Sequence, residues 1–491
     1  MRRILAPLAA ALTLAACAVG PNFKRPAPPA VTGYTPEPLP VESASTQAPA
    51  GAAQRFAVGH DLAADWWTVF HSPRLNELIE LALAHSPDLK AAKAALAAAH
   101  ETMLAQRGSY YPNLSAGFSA THQAQSTQIA PTPNANIFQY NVFTPQLTVS
   151  YVPDVFGLNR RTVESLRAEE QETRYQMIAA YDTLTSNVVV AAIQEGALEL
   201  QVDATRELID LNRDSLKILQ YQLDKGYASR LDVATQESQV AQIEATLPPL
   251  RKQLVQQQDL LAVLTGRFPS QSPGEQFDLL KMQLPEDLPL SLPSALVEQR
   301  PDVLQAEANM HDASAKIGIA VANRLPNIVL SGNAGSSALN MSQLLNKATE
   351  FWTIGADATA PIFAGGALYH QERAAREAYA QAAEQYRSTV LTAFQNVADT
   401  LTALEQDADA VKSAAKAADA AKVALDLAQR QWQDGYSAYI ALLAAEQTYQ
   451  QSRITLAQAQ GNRYADTAAL FQALGGGWWH RADLAADHHD P

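Results

Sequence analysis

One cysteine stands among the 491 residues, so no disulfide can form within the chain. Aromatic residues reach only 7%, and Ala, Gln, Leu and Glu fill the body instead. That mixture does not resemble a string of compact enzymes. It suits long helices packed side by side, because Ala has the highest helix propensity and lets backbones approach closely. Positive charge is also short, with 36 Lys and Arg against 50 Asp and Glu, a net charge of −14. Nucleic acid as the main partner is therefore disfavoured, since phosphate binding needs clustered cations. Histidines are scattered, no glycine loop of the phosphate-cradling kind joins a strand to a helix, and no Asp/Glu/His group has metal-ligand spacing. No enzyme activity, cofactor or metal site is expected.

No apolar run is long enough to span a bilayer as a helix. The apolar stretch from Ile4 to Ala16, preceded by Arg2 and Arg3, has the length of a secretion signal. It ends on Leu14-Ala15-Ala16-Cys17, which is similar to the bacterial lipobox, so residues 1–16 read as a lipoprotein signal peptide and Cys17 as the acylated mature terminus. By the same resemblance, Ala18 behind it suits sorting to the outer membrane. Residues 17–60 hold Pro21, Pro26, Pro28, Pro29, Pro36, Pro38, Pro40 and Pro49, a Pro-rich strap in which regular helix is excluded. At the other end, residues 476–491 form a tail whose His488 and His489 read as solvated.

Between these ends the chain repeats itself. Ser86-Pro87-Asp88 answers to Arg300-Pro301-Asp302 and Tyr111-Pro112-Asn113-Leu114 to Leu325-Pro326-Asn327-Ile328, each 214 residues on (Pro87 to Pro301, Pro112 to Pro326). Gly226-Tyr227 pairs with Gly435-Tyr436, Glu237 with Glu446 and Gly266 with Gly475, each 209 residues on. The order is collinear, so one structural unit is used twice, over 65–266 and 290–475, joined by a linker at 267–289.

Each repeat carries two segments of strand periodicity, expected at about 112–122 and 142–153 in the first and 326–335 and 351–363 in the second. Leu114, Ala116, Phe118 and Ala120 alternate with Ser115, Gly117, Ser119 and Thr121, and the other three segments alternate likewise. Segments of about ten residues with one apolar and one polar face suit tilted transmembrane strands. On this reading Phe118, Val149, Ile354 and Ala358 face lipid, and Ser119, Thr148, Thr353 and Asp357 face a lumen. His122 to Tyr140 and Gly335 to Glu350 become extracellular loops. Four strands cannot close a barrel, and an open sheet edge in hydrocarbon leaves backbone groups unpaired at a cost of several kcal/mol each. Closure must then be intermolecular, and three chains would supply twelve strands.

From Leu158 to Gln222 no proline interrupts 65 residues, a rod of about 100 Å at about 1.5 Å per residue. The helix after it carries Val233, Val240, Leu247, Leu254 and Leu261 at heptad spacing, a seam expected to break at Pro248-Pro249.

These features together resemble the outer membrane factor family, the TolC-like exit ducts, and within it the lipidated members of drug-efflux pumps. The marks are Cys17 with Val19-Gly20-Pro21, Trp66-Trp67 with Phe70, Gly226 with Leu231-Asp232-Val233, Leu292-Pro293-Ser294 with Arg300-Pro301-Asp302, Pro361 through Gly366, and Leu474 through Trp478. The resemblance implies a membrane α+β fold: a homotrimeric twelve-stranded β-barrel, four strands per chain, continued by a twelve-helix periplasmic α-barrel with an equatorial belt. It implies an efflux duct for small molecules in the outer membrane. It also implies two partners, a periplasmic adaptor and an inner-membrane transporter of the RND type. Gly226, Tyr227, Ser229 and Leu231, with Gly435, Tyr436, Ser437 and Tyr439, would meet the adaptor. Many relatives place acidic residues just past the second turn, where Ala441 and Ala444 stand here. The pore constriction then falls to Asp232 and Asp434, which could equally be helix caps, or to apolar packing at Leu442 and Leu443 near Tyr439. A helical scaffold without a pore and a secreted hydrolase are the competing readings, and the hydrolase would need a nucleophile and base that the sequence does not offer.

Overall fold

The computed structural model describes residues 18–125, 138–271 and 277–485. Cys17, the expected signal peptide and His488-His489 lie outside the described residues, as do residues 126–137 of the first expected loop. The elements are β1 (Arg55–Val58), α1 (Pro73–His85), α2 (Pro87–Arg107), β2 (Asn113–Gln125), β3 (Phe138–Tyr151), α3 (Leu158–Asp224), α4 (Arg230–Leu264), β4 (Asp287–Leu290), α5 (Pro293–Gln299), α6 (Pro301–Ala322), β5 (Asn327–Ser336), β6 (Glu350–Thr359), α7 (Ala367–Gln433) and α8 (Tyr439–Ala473). They fall into two compact units.

The first unit comprises residues up to 26 with 95–173 and 305–386. Its centre is a four-stranded antiparallel sheet in the order β2-β3-β5-β6. The two strands of each repeat are neighbours, and β3 joins β5 across the repeats through Gln146–Gly335 to Tyr151–Leu330. That ladder is interrupted at Pro145, which has no N–H to donate, and resumes at Phe143–Ala338. Beside the sheet, Arg161, 3% exposed, holds the start of the strap, donating to the carbonyl of Val19 at 3.0 Å and to Asn22 Oδ1 at 2.8 Å. Gly157 adopts φ +82° where a Cβ would lie 2.7 Å from Ala18 Cα, so the close approach of strap to helix requires glycine.

The second unit comprises 27–94, 174–304 and 387–491. Trp66 stacks on Phe471 with centroids 5.2 Å apart, and strands β1 and β4 pair in parallel. Arg463, fully buried, ties the strap to α8 by donating to the carbonyls of Ala50 at 2.8 Å and Ala52 at 2.7 Å and to Ser43 Oγ at 3.1 Å.

Three boundaries differ from those expected of the sequence. Helix α4 does not break at Pro248-Pro249 but runs through them. The turn before them is pinned, because Ile243 and Leu247 pack on Leu208 and Ile209 of α3, while both prolines are exposed and leave the freed carbonyls open to water. Strand β6, expected to reach 363, stops at Thr359, short of Pro361. Strands β2 and β3 extend into the first expected loop, with Asn141 Oδ1 bonded to His122 Nδ1 at 2.8 Å and Gln123 donating to Tyr140 Oη. Polar pairs of this kind prolong a ladder beyond an apolar band.

Candidate functional site

The sheet separates its side chains by chemistry. The row Leu114–Val149–Gly332–Ile354 lies straight across the four strands, and so do Ala116–Leu147–Ala334–Trp352 and, one residue off, Ser115–Thr148–Asn333–Thr353. Because strand side chains alternate between faces, the first two rows share a face and the third lies on the other. The apolar face leaves Phe118, Leu147, Trp352 and Ile354 at 58%, 52%, 75% and 80% exposure, an uncovered hydrophobic surface of the kind that meets lipid or a partner. Ala358 lies on it with Ile354, whereas Asp357 shares the polar face with Thr353, Ser119 and Thr148. The outer edges of β2 and β6 have no partner strand among the described residues. No helix among these residues is long and apolar enough to cross a membrane.

At the far ends of the long helices, α3 turns into α4 and α7 into α8 by the same geometry. Gly226 has φ +80° and Gly435 φ +76°. The N–H of Gly226 bonds to Leu223 O and that of Tyr227 to Gln222 O; Gly435 and Tyr436 bond likewise to Trp432 O and Gln431 O. This is the glycine-closed helix end in which two orphan carbonyls are satisfied. Both tyrosines behind the glycines, Tyr227 and Tyr436, are about equally exposed at 85% and 86%, and Leu231 is exposed beside the first. Ser229 is exposed and Ser437 half-buried.

The candidate constriction residues are placed differently from the expectation. Leu442 is 1% exposed inside a cluster with Leu219, Val233, Leu425 and Trp432 of the same chain, and Leu443 is 6% exposed. Both are buried within the protomer, and Leu442 is covered by Leu219 of α3, Val233 of α4 and Leu425 and Trp432 of α7. Tyr439, half-buried, lies edge-on to Trp432 with its hydroxyl donating to Gln236 Oε1. Asp232 belongs to a capping box: Ser229 Oγ accepts from the Asp232 N–H at 3.1 Å, and Asp232 Oδ2 accepts from the Ser229 N–H at 2.9 Å and hydroxyl at 2.7 Å. Those bonds from Ser229 hold its carboxyl below the usual carboxylate range. Asp434 is exposed past the end of α7.

A polar seam runs from inside the first hairpin to the second and was not legible in the sequence. Gln236 Nε2 donates to Asn212 O at 2.8 Å within the first hairpin, while Gln447 Nε2 to Gln239 Oε1 at 2.9 Å and Ser215 Oγ to Glu446 Oε1 at 3.3 Å join the second hairpin to the first. Glu446 is 1% exposed and its Oε2 has no hydrogen-bond partner. Burial pushes its carboxyl up to about 7, against a smaller opposing effect of the Ser215 bond. The repeat had marked Glu446 through its match to Glu237, but Glu237 is exposed.

Comparison with known proteins gives these features a family. Residues 78–267 and 292–476 match the model of the outer membrane efflux protein family. The toluene efflux pump outer membrane protein TtgF of Pseudomonas putida is 27% identical, with 96% of each chain covered. Outer membrane protein OprJ of Pseudomonas aeruginosa is 27% identical over 95% of this chain and 94% of that one. Among solved structures, the outer-membrane channel OprN has a TM-score of 0.83 at 23% identity, covering 94% of this chain and all of that one. The Campylobacter jejuni CmeC channel has a TM-score of 0.85 at 19% identity, covering 96% and 97%. These two structures share the TolC-like fold of a strand barrel continued by a helical barrel. With both halves of the chain matched, a sheet of bilayer-spanning pattern and long antiparallel helices, the chain belongs to the outer membrane efflux protein family and is an outer-membrane channel of an efflux system, not an enzyme.

Proposed function

We propose that three copies of this chain close a twelve-stranded barrel through the outer membrane and continue it as a twelve-helix periplasmic tube, making an exit duct for small molecules. One observation carries the reading: a four-stranded sheet, apolar on one face and polar on the other, with no partner strand at either outer edge among the described residues. Such a sheet cannot stand in hydrocarbon alone, because each unpaired backbone group there costs several kcal/mol. Pairing β6 of one copy with β2 of the next removes every edge and turns Ser119, Thr148, Thr353 and Asp357 toward the lumen, with Phe118, Val149, Ile354 and Ala358 toward lipid. The two repeats, 65–266 and 290–475, supply one hairpin of strands and one of helices each. Cys17 is the acylated anchor, and residues 17–60 are the strap that follows it.

The exposed turns at Gly226, Tyr227, Ser229 and Leu231 and at Gly435, Tyr436 and Ser437 are the docking surface for a periplasmic adaptor, which links the duct to an inner-membrane transporter of the RND type. Substrates are small molecules; relatives are named for toluene efflux and pyoverdine export. With Leu442 and Leu443 committed to the protomer interior, Asp434 and Asp232, the latter bonded to Ser229, are the remaining candidates for carboxylates at the aperture. Mass measurement of the detergent-purified protein tests closure, with a trimer expected and a monomer overturning it. Deletion of the gene should raise drug susceptibility, and complementation by a Cys17→Ala variant that still takes up labelled fatty acid would refute the anchor.

A further inference from the structure

We infer that the seam between copies is an antiparallel ladder in which β6 residues 350–359 pair with residues 113–122 of the neighbouring copy, Glu350 opposite His122 and Thr359 opposite Asn113. The inference rests on the three-copy closure proposed above and specifies how that closure is made.

Side-chain parity restricts the choice first. Even-numbered residues of both β2 and β6 lie on the apolar face, so the seam must set even residues opposite even ones, or one strand would turn its apolar side to the lumen. Strand length restricts it next. All ten residues of β6 find partners in the thirteen of β2 only if Glu350 meets His122 or Ala124.

The ionisable side chains decide between those two. The sheet carries just three besides tyrosine, His122, Glu350 and Asp357, and all three stand on the edge strands that would form the seam. With Glu350 opposite His122, the carboxylate faces the ring at the distance of a cross-strand pair, about 4.5–5.5 Å between Cβ atoms. His122 Nδ1 is already bonded to Asn141, which leaves Nε2 for the carboxylate. On the polar face the same register sets Asp357 opposite the Ser115 hydroxyl, a donor for the carboxylate. The alternative sets Glu350 against Ala124 and Asp357 against Gly117, and both carboxylates lose their partners.

Two further considerations agree. The favoured register leaves Gln123 to Gln125 unpaired at the loop end of β2, in water; the alternative leaves Asn113 and Leu114 unpaired, where Leu114 is 67% exposed on the apolar face. The row from Leu114 to Ile354 would continue onto the neighbour's Phe118, a step of four residues per copy. With a rise of about 3.4 Å and a strand spacing of about 4.8 Å, that stagger gives a tilt of roughly 35°, within the usual range, whereas a six-residue step gives roughly 47°.

The test is disulfide trapping in outer membranes with double variants of the full chain. Thr353→Cys with Ser119→Cys places the thiols directly opposite across each seam, and one bond per seam yields a covalent trimer on a non-reducing gel. Its yield should exceed that of Thr353→Cys with Thr121→Cys, slipped by two residues, by about an order of magnitude, because the slipped Cα atoms fall outside bridging distance. Glu350→Cys with His122→Cys should cross-link as well, and wild-type protein with Cys17 alone should not. Preferential trapping by the Thr121 pair or by a Gly117 pair, or no trapping in a particle of trimeric mass, overturns the register. A particle that is not trimeric at all overturns the closure instead, so the two failures are distinguishable.

Discussion

The two helical turns are built on one backbone plan and stabilised differently. The first, at Gly226, leads into a helix whose N-terminus is satisfied by Ser229 and Asp232 in a capping box; the second, at Gly435, leads into a helix whose N-cap is Ala438, with no side-chain cap. The 209-residue offset sets Ser229 against Ala438 and Asp232 against Ala441, so the second copy has lost both polar partners. Glu237 and Glu446 occupy equivalent sites too, yet one is exposed and the other sealed between helices. Duplication preserved the turn, where positive φ demands glycine, and released the positions around it. The second hairpin is therefore held by lateral contacts to the first, and the first by its own cap.

Four pairs of substitutions would break or sharpen this contrast. The largest effect belongs to Leu442→Ala, which empties part of the cluster with Leu219, Leu425 and Trp432. It should cost about 2–5 kcal/mol in denaturant unfolding, and its repeat counterpart Val233→Ala less, because fewer buried atoms are removed. Equal costs would mean that the two hairpins share the load evenly.

Glu446→Gln comes next and depends on pH. Its carboxyl is raised to about 7 in the folded chain against about 4.3 when unfolded. Below the unfolded value both states are protonated and the group is neutral in its effect. As pH rises through this window the unfolded chain ionises first, so stability is lost, and above about 7 the penalty is constant at a few kcal/mol at most. Glu446→Gln should therefore gain over wild type at pH 8 and not at pH 4, while Glu237→Gln, at an exposed site, serves as the control for the substitution itself. Thermal unfolding of the two variants at the two pH values checks this.

The caps give smaller shifts. Ser229→Ala should cost about 1 kcal/mol, and Ala438→Ser, which restores the missing acceptor, should recover up to about that much. Amide exchange in the first turn of α8 should slow with Ala438→Ser; unchanged exchange would show that the second turn is already satisfied by other means. The least effect on stability is expected of Tyr227→Ala and Tyr436→Ala, since both rings are exposed. Their loss should appear in cross-linking to the proposed adaptor and leave assembly intact.

Much of this contrast could be read in the residues themselves, and the rest could not for identifiable reasons. Alternation locates a strand and collinear motifs locate a repeat, because both follow from backbone periodicity. The residue types of Leu442 and Leu443 do not tell whether a lumen or a sister helix lies against them; they were expected at the aperture and lie inside the protomer. The match of Glu237 to Glu446 could not say which copy is buried, since that depends on packing between hairpins. Pro248-Pro249 carry a local helix-breaking signal that tertiary contacts at Ile243 and Leu247 override.

The lumen-facing assignment of the polar sheet face meets its most direct test in the single-channel current of purified protein in a planar bilayer, wild type beside Thr353→Arg. A ring closed from three sheets predicts discrete current steps from wild type and altered steps from Thr353→Arg in an equally stable particle, because the new charge stands in the water path. Folded protein that passes no current, or steps indifferent to Thr353→Arg, would contradict it.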